Sequence, residues 1–290
     1  MDTTLPQTVL DRVVEHLAGV PGVAALALGG SRGRGDARPD ADVDVGLTYR
    51  AEALDLAALD AALTALDDDH RPGLLNPPGA WGPWVNGGAW THVAGLPVDI
   101  LLREAGRVEA VIHDCLAGRI TIDYQAGHPF GFVNAIYAAE VHHCRPLWQD
   151  ATRPLDALKA LLHTEGEYPP RMRAAICGRF LWEAEFSLAT GRKAALGGDV
   201  HYAMGCAFRA VGAWAQVLYA LNRRYLMNEK GALPGVRTLP HAPEALEARA
   251  GRAYALLAGG QGEEAWALLE ALHAEVTALA SDAPGRAATI

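Results

Sequence analysis

The sequence predicts an α+β protein in which a mixed β-sheet flanked by helices precedes an α-helical bundle. Two stretches indicate the sheet: Val23–Leu28 is entirely apolar, as in a buried strand, and residues 42–49 alternate between acidic and apolar types. The bundle is indicated by helical periodicity in almost all later segments. We therefore predict an N-terminal domain of residues 1–125 and a C-terminal helical domain of residues 126–290, joined in the Gly- and Pro-containing segment 125–131.

The N-terminal domain alternates helices and strands in the order that a layered sheet requires. Apolar residues fall on one face of the first predicted helix, which Pro21-Gly22 ends. Farther along, two apolar segments flank a turn predicted at residues 94–97, which contain Gly and Pro. The predicted elements of this domain are, in chain order, helix 8–17, strands 23–28 and 42–49, helix 54–66, strands 90–93 and 98–102, and helix 107–116.

In the C-terminal domain the sequence predicts helices only. Trp214, Leu218 and Tyr225 recur at a spacing that places them on the core-facing side of one long helix. The polar cluster that begins at Asn222 has two open interpretations, a cap for that helix or a contribution to a ligand cleft. The predicted helices cover residues 132–144, 155–162, 171–189, 202–227, 244–257 and 263–279.

Charge and composition limit the functional classes. The formal net charge is −9, which disfavours a long nucleic-acid partner because such partners are bound by basic surfaces. The acidic balance is compatible with a small cationic substrate. No apolar stretch reaches the roughly 20 residues of a membrane span, and the acidic N-terminus does not resemble a secretory signal. The 4 cysteines form no close pair, which is typical of reduced thiols, so we expect a cytoplasmic protein.

The candidate chemistry is concentrated in a Gly-rich segment and the strand after it. Asp42 and Asp44 are alternate residues of that predicted strand, so both carboxylates lie on one face. Adjacent carboxylates repel unless a cation lies between them, and hard oxygen ligands suit Mg²⁺ bound to substrate phosphates. The preceding loop contains Gly30, Ser31 and Arg34. Their backbone N–H, hydroxyl and guanidinium groups are of the kinds that bind phosphate oxygens.

A third carboxylate, Asp99, lies between apolar residues of another predicted strand. Such a carboxylate is costly unless it is paired or bound to a metal. If this strand lies beside the strand of Asp42 and Asp44, three carboxylates converge and can hold two metal ions.

Gly30-Ser31, ten further residues, the pair Asp42-x-Asp44 and the later strand carboxylate Asp99 together resemble the signature of the DNA polymerase β-like nucleotidyltransferase superfamily. The intervening Arg-x-Arg-Gly and Arg-Pro-Asp-x-Asp are most similar to the minimal and antibiotic nucleotidyltransferases. In antibiotic nucleotidyltransferases the catalytic domain is also followed by a helical one.

This resemblance covers residues 23–102 and implies roles for individual residues. Residues 1–125 would form the catalytic domain. Ala41 departs from the pattern, because the family often has Ser there, and this removes one hydroxyl from the site. The implied roles are nucleotide binding by Gly30, Ser31 and Arg34, and both catalysis and binding of two Mg²⁺ ions by Asp42, Asp44 and Asp99.

The implied reaction is attack of an acceptor hydroxyl on the α-phosphate of ATP or another nucleoside triphosphate, with release of pyrophosphate. Asp99 is the first candidate for the general base, and Glu104 and Glu140 are weaker candidates. We expect transfer of AMP to a small-molecule acceptor, for which an aminoglycoside-like antibiotic is the leading example by resemblance. The alternatives are modification of a protein hydroxyl and nucleotide binding without catalysis. A homodimer is compatible with the family.

Trp81, Trp84 and Trp90 precede Asp99 in the chain. They have two interpretations, packing in the core and stacking on a base or a sugar. Core packing is the favoured one, because it is the commoner use of clustered tryptophans.

Overall fold

The computed structural model describes residues 7–38 and 41–282. Residues 1–6, part of the N-terminal stretch 1–17 on which the expectation about a secretory signal rests, lie outside the described residues. So do Pro39 and Asp40 of the Arg-Pro-Asp-x-Asp motif.

The described residues form two compact units. The first unit contains the residues up to His113, together with Asp123–Phe132 and Tyr137–Thr164. The second unit contains Asp114–Ile122, Val133–Ile136 and the residues from Glu165 onward. The division into two domains at residue 125 stays a prediction.

Helices and strands follow one another in an α+β order. In the described residues the strands are β1 (Val23–Leu28), β2 (Val43–Tyr49), β3 (Gly88–Val93), β4 (Leu96–Glu104), β5 (Ile122–Gln125), β6 (His128–Val133) and β7 (Arg145–Gln149). The helices are α1 (Gln7–Leu17), α2 (Gly30–Arg34), α3 (Leu56–Leu66), α4 (Ala105–Leu116), α5 (Ala135–His143), α6 (Pro154–Leu162), α7 (Pro170–Gly197), α8 (Val200–Leu221), α9 (Ala232–Val236), α10 (Leu246–Ala258) and α11 (Gly262–Asp282).

A five-stranded mixed sheet with the order β3-β4-β2-β1-β7 organises the first unit. β2 and β4 are parallel, whereas the other neighbours are antiparallel. Val43, Val45 and Leu47 of β2 are fully buried against α1 and α3, so the alternate residue Asp44 lies on the opposite face. Each fully buried side chain of this kind contributes roughly 1.5–3 kcal/mol. The mixed sheet and the helical region after it confirm the predicted α+β class.

The turn between β3 and β4 has two residues rather than the predicted four. Ala94 and Gly95 have φ of 52° and 78°, the left-handed angles of a type I′ hairpin turn. Asp68 accepts hydrogen bonds from both backbone N–H groups, at 3.0 and 2.8 Å. Leu96 and Pro97 were predicted in the turn and instead belong to β4. Pro97 is tolerated because β4 begins to pair with β2 only at the next residue, so its missing N–H breaks no bond there.

Strands β5, β6 and β7 were not predicted from the sequence. Segment 125–131, predicted as the joint between the domains, contains residues of the β5–β6 hairpin, and its role as a joint stays a prediction. β7 lies in a region where only helices were predicted, and it pairs with β1 as an outer strand of the sheet. The sequence signal for the hairpin is weak, because β5 has only 4 residues and β6 contains Pro129 and Gly131.

The second unit is helical, and its helices approach closely. A Cβ added at Gly191 of α7 would lie 2.4 Å from the Trp266 ring and 2.6 Å from the Cβ of Cys206. Trp266 is buried, and its Nε1 donates to the Leu188 carbonyl at 3.1 Å. Gly191 therefore lets α7 pack against α8 and α11.

Helix α8 ends at Leu221, six residues before the predicted end at 227. Asn222 donates to the carbonyls of Leu218 and His241, each at 2.8 Å, and accepts from the N–H of His241 at 2.9 Å. The cap interpretation of Asn222 is therefore confirmed. In the described part of the chain, no helix is both long and apolar enough to cross a membrane.

Candidate active site

Three side chains lie in a row across the polar face of the sheet. Asp44 of β2 is the direct partner of Asp99 in the parallel ladder with β4. Asp99 is in turn the direct partner of Trp90 in the antiparallel ladder with β3. Direct partners on neighbouring strands present their side chains on the same face, about 4.8 Å apart along the row. The strand pairing that the sequence analysis required for Asp44 and Asp99 is therefore present.

Asp42 lies just before β2 and is exposed. Its position is set by Arg32, whose guanidinium donates to the Ala41 carbonyl at 2.7 Å and to the Asp42 carbonyl at 3.2 Å. Burial is the largest cause that raises the pKa of Asp99, and with the negative charges of Asp44 and Asp42 it brings this pKa to about 6. The three predicted carboxylates thus lie near enough to one another to interact electrostatically.

These carboxylates do not form a closed metal cage in the structure. Across residues 7–38 and 41–282, no three His, Cys, Asp or Glu side chains are grouped closely enough to hold a metal ion. Metal binding by Asp42, Asp44 and Asp99 therefore stays a prediction.

The Gly-rich segment, predicted as a loop, contains the short helix α2. The Gly33 N–H donates to the Gly29 carbonyl at 2.6 Å, and α2 ends at Gly35, whose φ is 83°. Gly30 has φ of 56°, and an added Cβ would lie 1.8 Å from Oδ2 of Asp44. The Gly29 N–H donates to the Asp44 carbonyl oxygen at 2.8 Å. The start of α2 is therefore packed against the carboxylate row, which is where the predicted nucleotide ligands Gly30 and Ser31 lie.

Arg34, the third predicted nucleotide ligand, lies at the end of α2. Its guanidinium forms an ion pair with the exposed carboxylate of Asp36 at 3.1 Å. Its role in phosphate binding stays a prediction.

The two weaker base candidates have structural partners. Glu104 accepts hydrogen bonds from the N–H groups of Gly106 at 2.8 Å and Arg107 at 2.7 Å, so it caps the start of α4. Glu140 forms a two-pronged ion pair with Arg103, with both N–O distances at 2.7 Å. Both carboxylates are occupied in holding the fold, and neither belongs to the row of Asp44 and Asp99.

The tryptophans divide between the two interpretations. Trp84 is buried and packs against Phe132, with ring centroids 5.1 Å apart, so core packing is confirmed for it. Trp90 is 59% exposed and stacks with Trp81 at 4.6 Å between centroids. Trp81 and Trp90 line a pocket of about 560 Å³ together with Tyr124. This pocket was not predicted from the sequence, although a two-residue turn at 94–95 would have indicated that Trp90 lies opposite Asp99.

The comparison with protein-family models agrees with the predicted resemblance. Residues 8–113 match a protein-family model described as "Nucleotidyltransferase domain". Among solved structures, the chain is similar to a nucleotidyltransferase-like protein from Exiguobacterium sibiricum, with 11% sequence identity and a TM-score of 0.44. That alignment covers 95% of this chain and 76% of the other. No curated protein gives a significant match.

Proposed function

We propose that this chain, whose residues 8–113 form a nucleotidyltransferase domain, transfers AMP from ATP to a hydroxyl of a small-molecule acceptor and releases pyrophosphate. Transfer of a nucleoside monophosphate is the general activity of the domain. The observation that carries the specific proposal is the pairing of Asp44 with Asp99 directly beside the start of α2. It joins a potential metal site to a potential phosphate site.

The carboxylates fit a divalent cation. Asp42, Asp44 and Asp99 would supply hard oxygen ligands, which Mg²⁺ prefers. Burial raises the pKa of Asp99 to about 6 together with the negative charges of Asp44 and Asp42, and two Mg²⁺ ions would offset that negative charge. When bound, these ions would neutralise charge on the triphosphate.

The triphosphate is assigned to the start of α2. The Gly30 backbone packs directly against the Asp44 carboxylate, so a phosphate bound at the start of α2 would lie beside the carboxylate row. The Ser31 hydroxyl would donate to the same oxygens, and Arg34 would add positive charge at the end of α2. Arg32 keeps the end of the Gly-rich segment fixed to the start of β2, which holds the phosphate and metal ligands in one place.

Asp99 is the residue we assign to proton transfer. Asp99 lies between Asp44 and Trp90 in the row. The proposed nucleotide site is on the Asp44 side of Asp99, and Trp90 is on the other side. An acceptor hydroxyl there would form a bond to the α-phosphorus while the bond to the pyrophosphate oxygen breaks. The hydroxyl proton would pass to the Asp99 carboxylate and then to water.

A thermal-shift experiment tests this proposal. We would measure Tm with ATP, GTP, CTP and UTP, each with and without Mg²⁺, for the wild type, Asp44→Asn and the exposed control Asp69→Asn. A ligand at about 100 times its Kd adds roughly 2.7 kcal/mol of stability, which raises Tm by about 5 °C or more. We expect a Mg²⁺-dependent shift, largest with ATP, in the wild type and the control. An equal shift in Asp44→Asn would contradict the proposal.

A further inference from the structure

The pocket beside Asp99 has uncharged walls. It lies wholly within the first unit and has a volume of about 560 Å³, which is within the range of small-molecule sites. Among the described residues, those that line it include no Asp, Glu, His, Lys or Arg. The larger lining side chains are those of Trp81, Trp90, Tyr124, Gln125, Val85 and Leu101. The pocket is therefore suited to an uncharged ligand with an apolar face.

The stacked rings of Trp81 and Trp90 form an aromatic surface, and the Trp81 ring packs against the backbone at Gly88. A Cβ added at Gly88 would lie 1.9 Å from the Ile100 carbonyl oxygen and 2.9 Å from the Trp81 ring. The Trp81 ring therefore occupies the space that a side chain at position 88 would need. From there it stacks on Trp90, with the ring planes 26° apart.

A buried amide holds the loop that carries Trp81. Gln125 is only 3% exposed, and its Nε2 donates to the Trp81 carbonyl at 2.6 Å. Its Oε1 accepts from the Trp84 N–H at 3.2 Å. The loop is closed by a hydrogen bond from the Trp81 N–H to the Asn86 carbonyl, at 2.9 Å. Because the nitrogen and the oxygen of the Gln125 amide both form hydrogen bonds to this loop, the wall of the pocket is preorganised for binding.

The position of the pocket distinguishes the acceptor from the nucleotide. Along the row, Gly30 lies on the Asp44 side and Trp90 lies on the other side of Asp99. In an in-line displacement the attacking oxygen and the leaving pyrophosphate are on opposite sides of the phosphorus. With the triphosphate assigned to Gly30 and Ser31, the attacking molecule must approach from the side of Trp90.

We propose that this pocket binds the acceptor, and that the acceptor is a neutral glycoside whose sugar ring lies on the Trp81–Trp90 surface with one hydroxyl directed at Asp99. The proposal rests on the proposed function and specifies its substrate class. A sugar ring presents an apolar C–H face for an indole and hydroxyls at its edge, which matches an aromatic wall beside a carboxylate. A polycationic aminoglycoside would have to give up the hydration of its ammonium groups against uncharged walls, which is unfavourable.

Saturation-transfer NMR with a defined probe tests the proposal. The probe is 4-nitrophenyl β-D-glucopyranoside, compared with the polycation kanamycin, and the proteins are the wild type, Trp90→Ala, Trp90→Phe and Trp182→Ala. Trp182 is a matched control because it is 63% exposed and lies on α7 of the second unit. We expect the glucoside to bind the wild type, Trp90→Phe and Trp182→Ala, and to bind Trp90→Ala about tenfold more weakly.

The Kd for ATP is measured in the same samples, which separates this inference from the proposed function. We expect it to stay within about twofold of the wild type in Trp90→Ala. Loss of ATP affinity in that variant would assign the pocket to the base and overturn the inference. The inference would also be overturned if the glucoside did not bind the wild type, or if it bound Trp90→Ala as tightly as the wild type. Kanamycin binding that is tighter than glucoside binding and depends on Trp90 would overturn it as well. If neither the wild type nor any variant bound ATP, the proposed function would be contradicted instead. Glucoside binding would still be measured in the same samples and would test the inference separately.

Discussion

A Cβ atom at position 30 would lie 1.8 Å from Oδ2 of Asp44, so the Gly30 backbone and this carboxylate are packed against each other. Helix α2 and the next element of the chain, β2, thus meet with no space for a methyl group. The contact couples the start of α2 to the carboxylate row, and its first consequence is a test of the nucleotide site.

We expect Gly30→Ala to displace Asp44 and to lower Mg²⁺- and ATP-dependent pyrophosphate release by about 100-fold, roughly 2.7 kcal/mol. Gly35→Ala is the matched control. Gly35 also has a left-handed φ, 83°, but an added Cβ would meet nothing within 4 Å. Backbone strain should lower the stability of both variants by about 1–3 kcal/mol. The displacement of Asp44 adds a further loss in Gly30→Ala only. Equal activity in the two variants would contradict the role of the Gly30–Asp44 contact.

The buried ion pair between Arg103 and Glu140 predicts a large stability effect. The Arg103 side chain is 10% exposed, and it also donates to the Val85 carbonyl at 3.0 Å. We expect Arg103→Met to lower the free energy of unfolding in urea by about 3 kcal/mol, because Glu140 is left without its partner. For Arg119→Met, which breaks an exposed pair with Asp114, we expect less than about 1 kcal/mol. Equal losses would show that burial of Arg103 has no energetic role.

Acid stability should depend on Asp67. Its fully buried side chain binds the Arg71 guanidinium through hydrogen bonds of 2.6 and 2.8 Å and accepts from the His92 N–H at 2.9 Å. The hydrogen bond from Arg71 holds the pKa of Asp67 well below its usual range, and the bond from His92 acts in the same direction.

A depressed folded pKa stabilises the protein fully above the unfolded pKa, which is about 3.9 for Asp. That stability is lost as pH falls through the folded value. We therefore expect the free energy of unfolding to decrease more steeply below about pH 4 in the wild type than in Asp67→Asn. Urea denaturation from pH 7 to pH 3 measures this, and parallel curves for the two proteins would refute it.

Asp99 should titrate in the opposite sense. Partial burial and the negative charges of Asp44 and Asp42 raise the pKa of Asp99 to about 6. The Asp99 carboxyl group therefore binds its proton more tightly in the folded protein than in the unfolded chain. Its contribution to stability is present below the unfolded pKa and is lost as pH rises through about 6. In Mg²⁺-free buffer, carboxyl-carbon NMR should give a midpoint near 6 for Asp99 and a lower one in Asp44→Asn. A midpoint that does not respond to Asp44 would be inconsistent with the geometry of the row.

The sequence predicted the elements whose side chains alternate clearly, and these include the ones that carry the carboxylates. β1, β2 and α1 follow a buried or amphipathic pattern, whereas the pattern leaves open whether the strand of Asp99 lies beside that of Asp44. β7 was missed because an outer strand is defined by backbone pairing with β1, which a pattern of side chains does not report.

The pocket was missed for a different reason. A four-residue turn at 94–97 would have paired Val93 with Val98 and placed Trp90 opposite Leu101. The structure pairs Val93 with Leu96, because Ala94 and Gly95 adopt left-handed angles and Asp68 binds both of their N–H groups. Long-range contacts such as the one from Asp68 are absent from any local pattern.

The shortness of that turn also limits how this protein can vary. Because side chains alternate along a strand, one residue inserted or deleted between Val93 and Leu96 would turn Trp90 toward the apolar core or move it away from Asp99. Insertion or deletion of two residues would keep Trp90 on the same face of the sheet but shift its indole along the hairpin. Any relative that retained the carboxylates and lengthened this loop would therefore be expected to accept a different molecule.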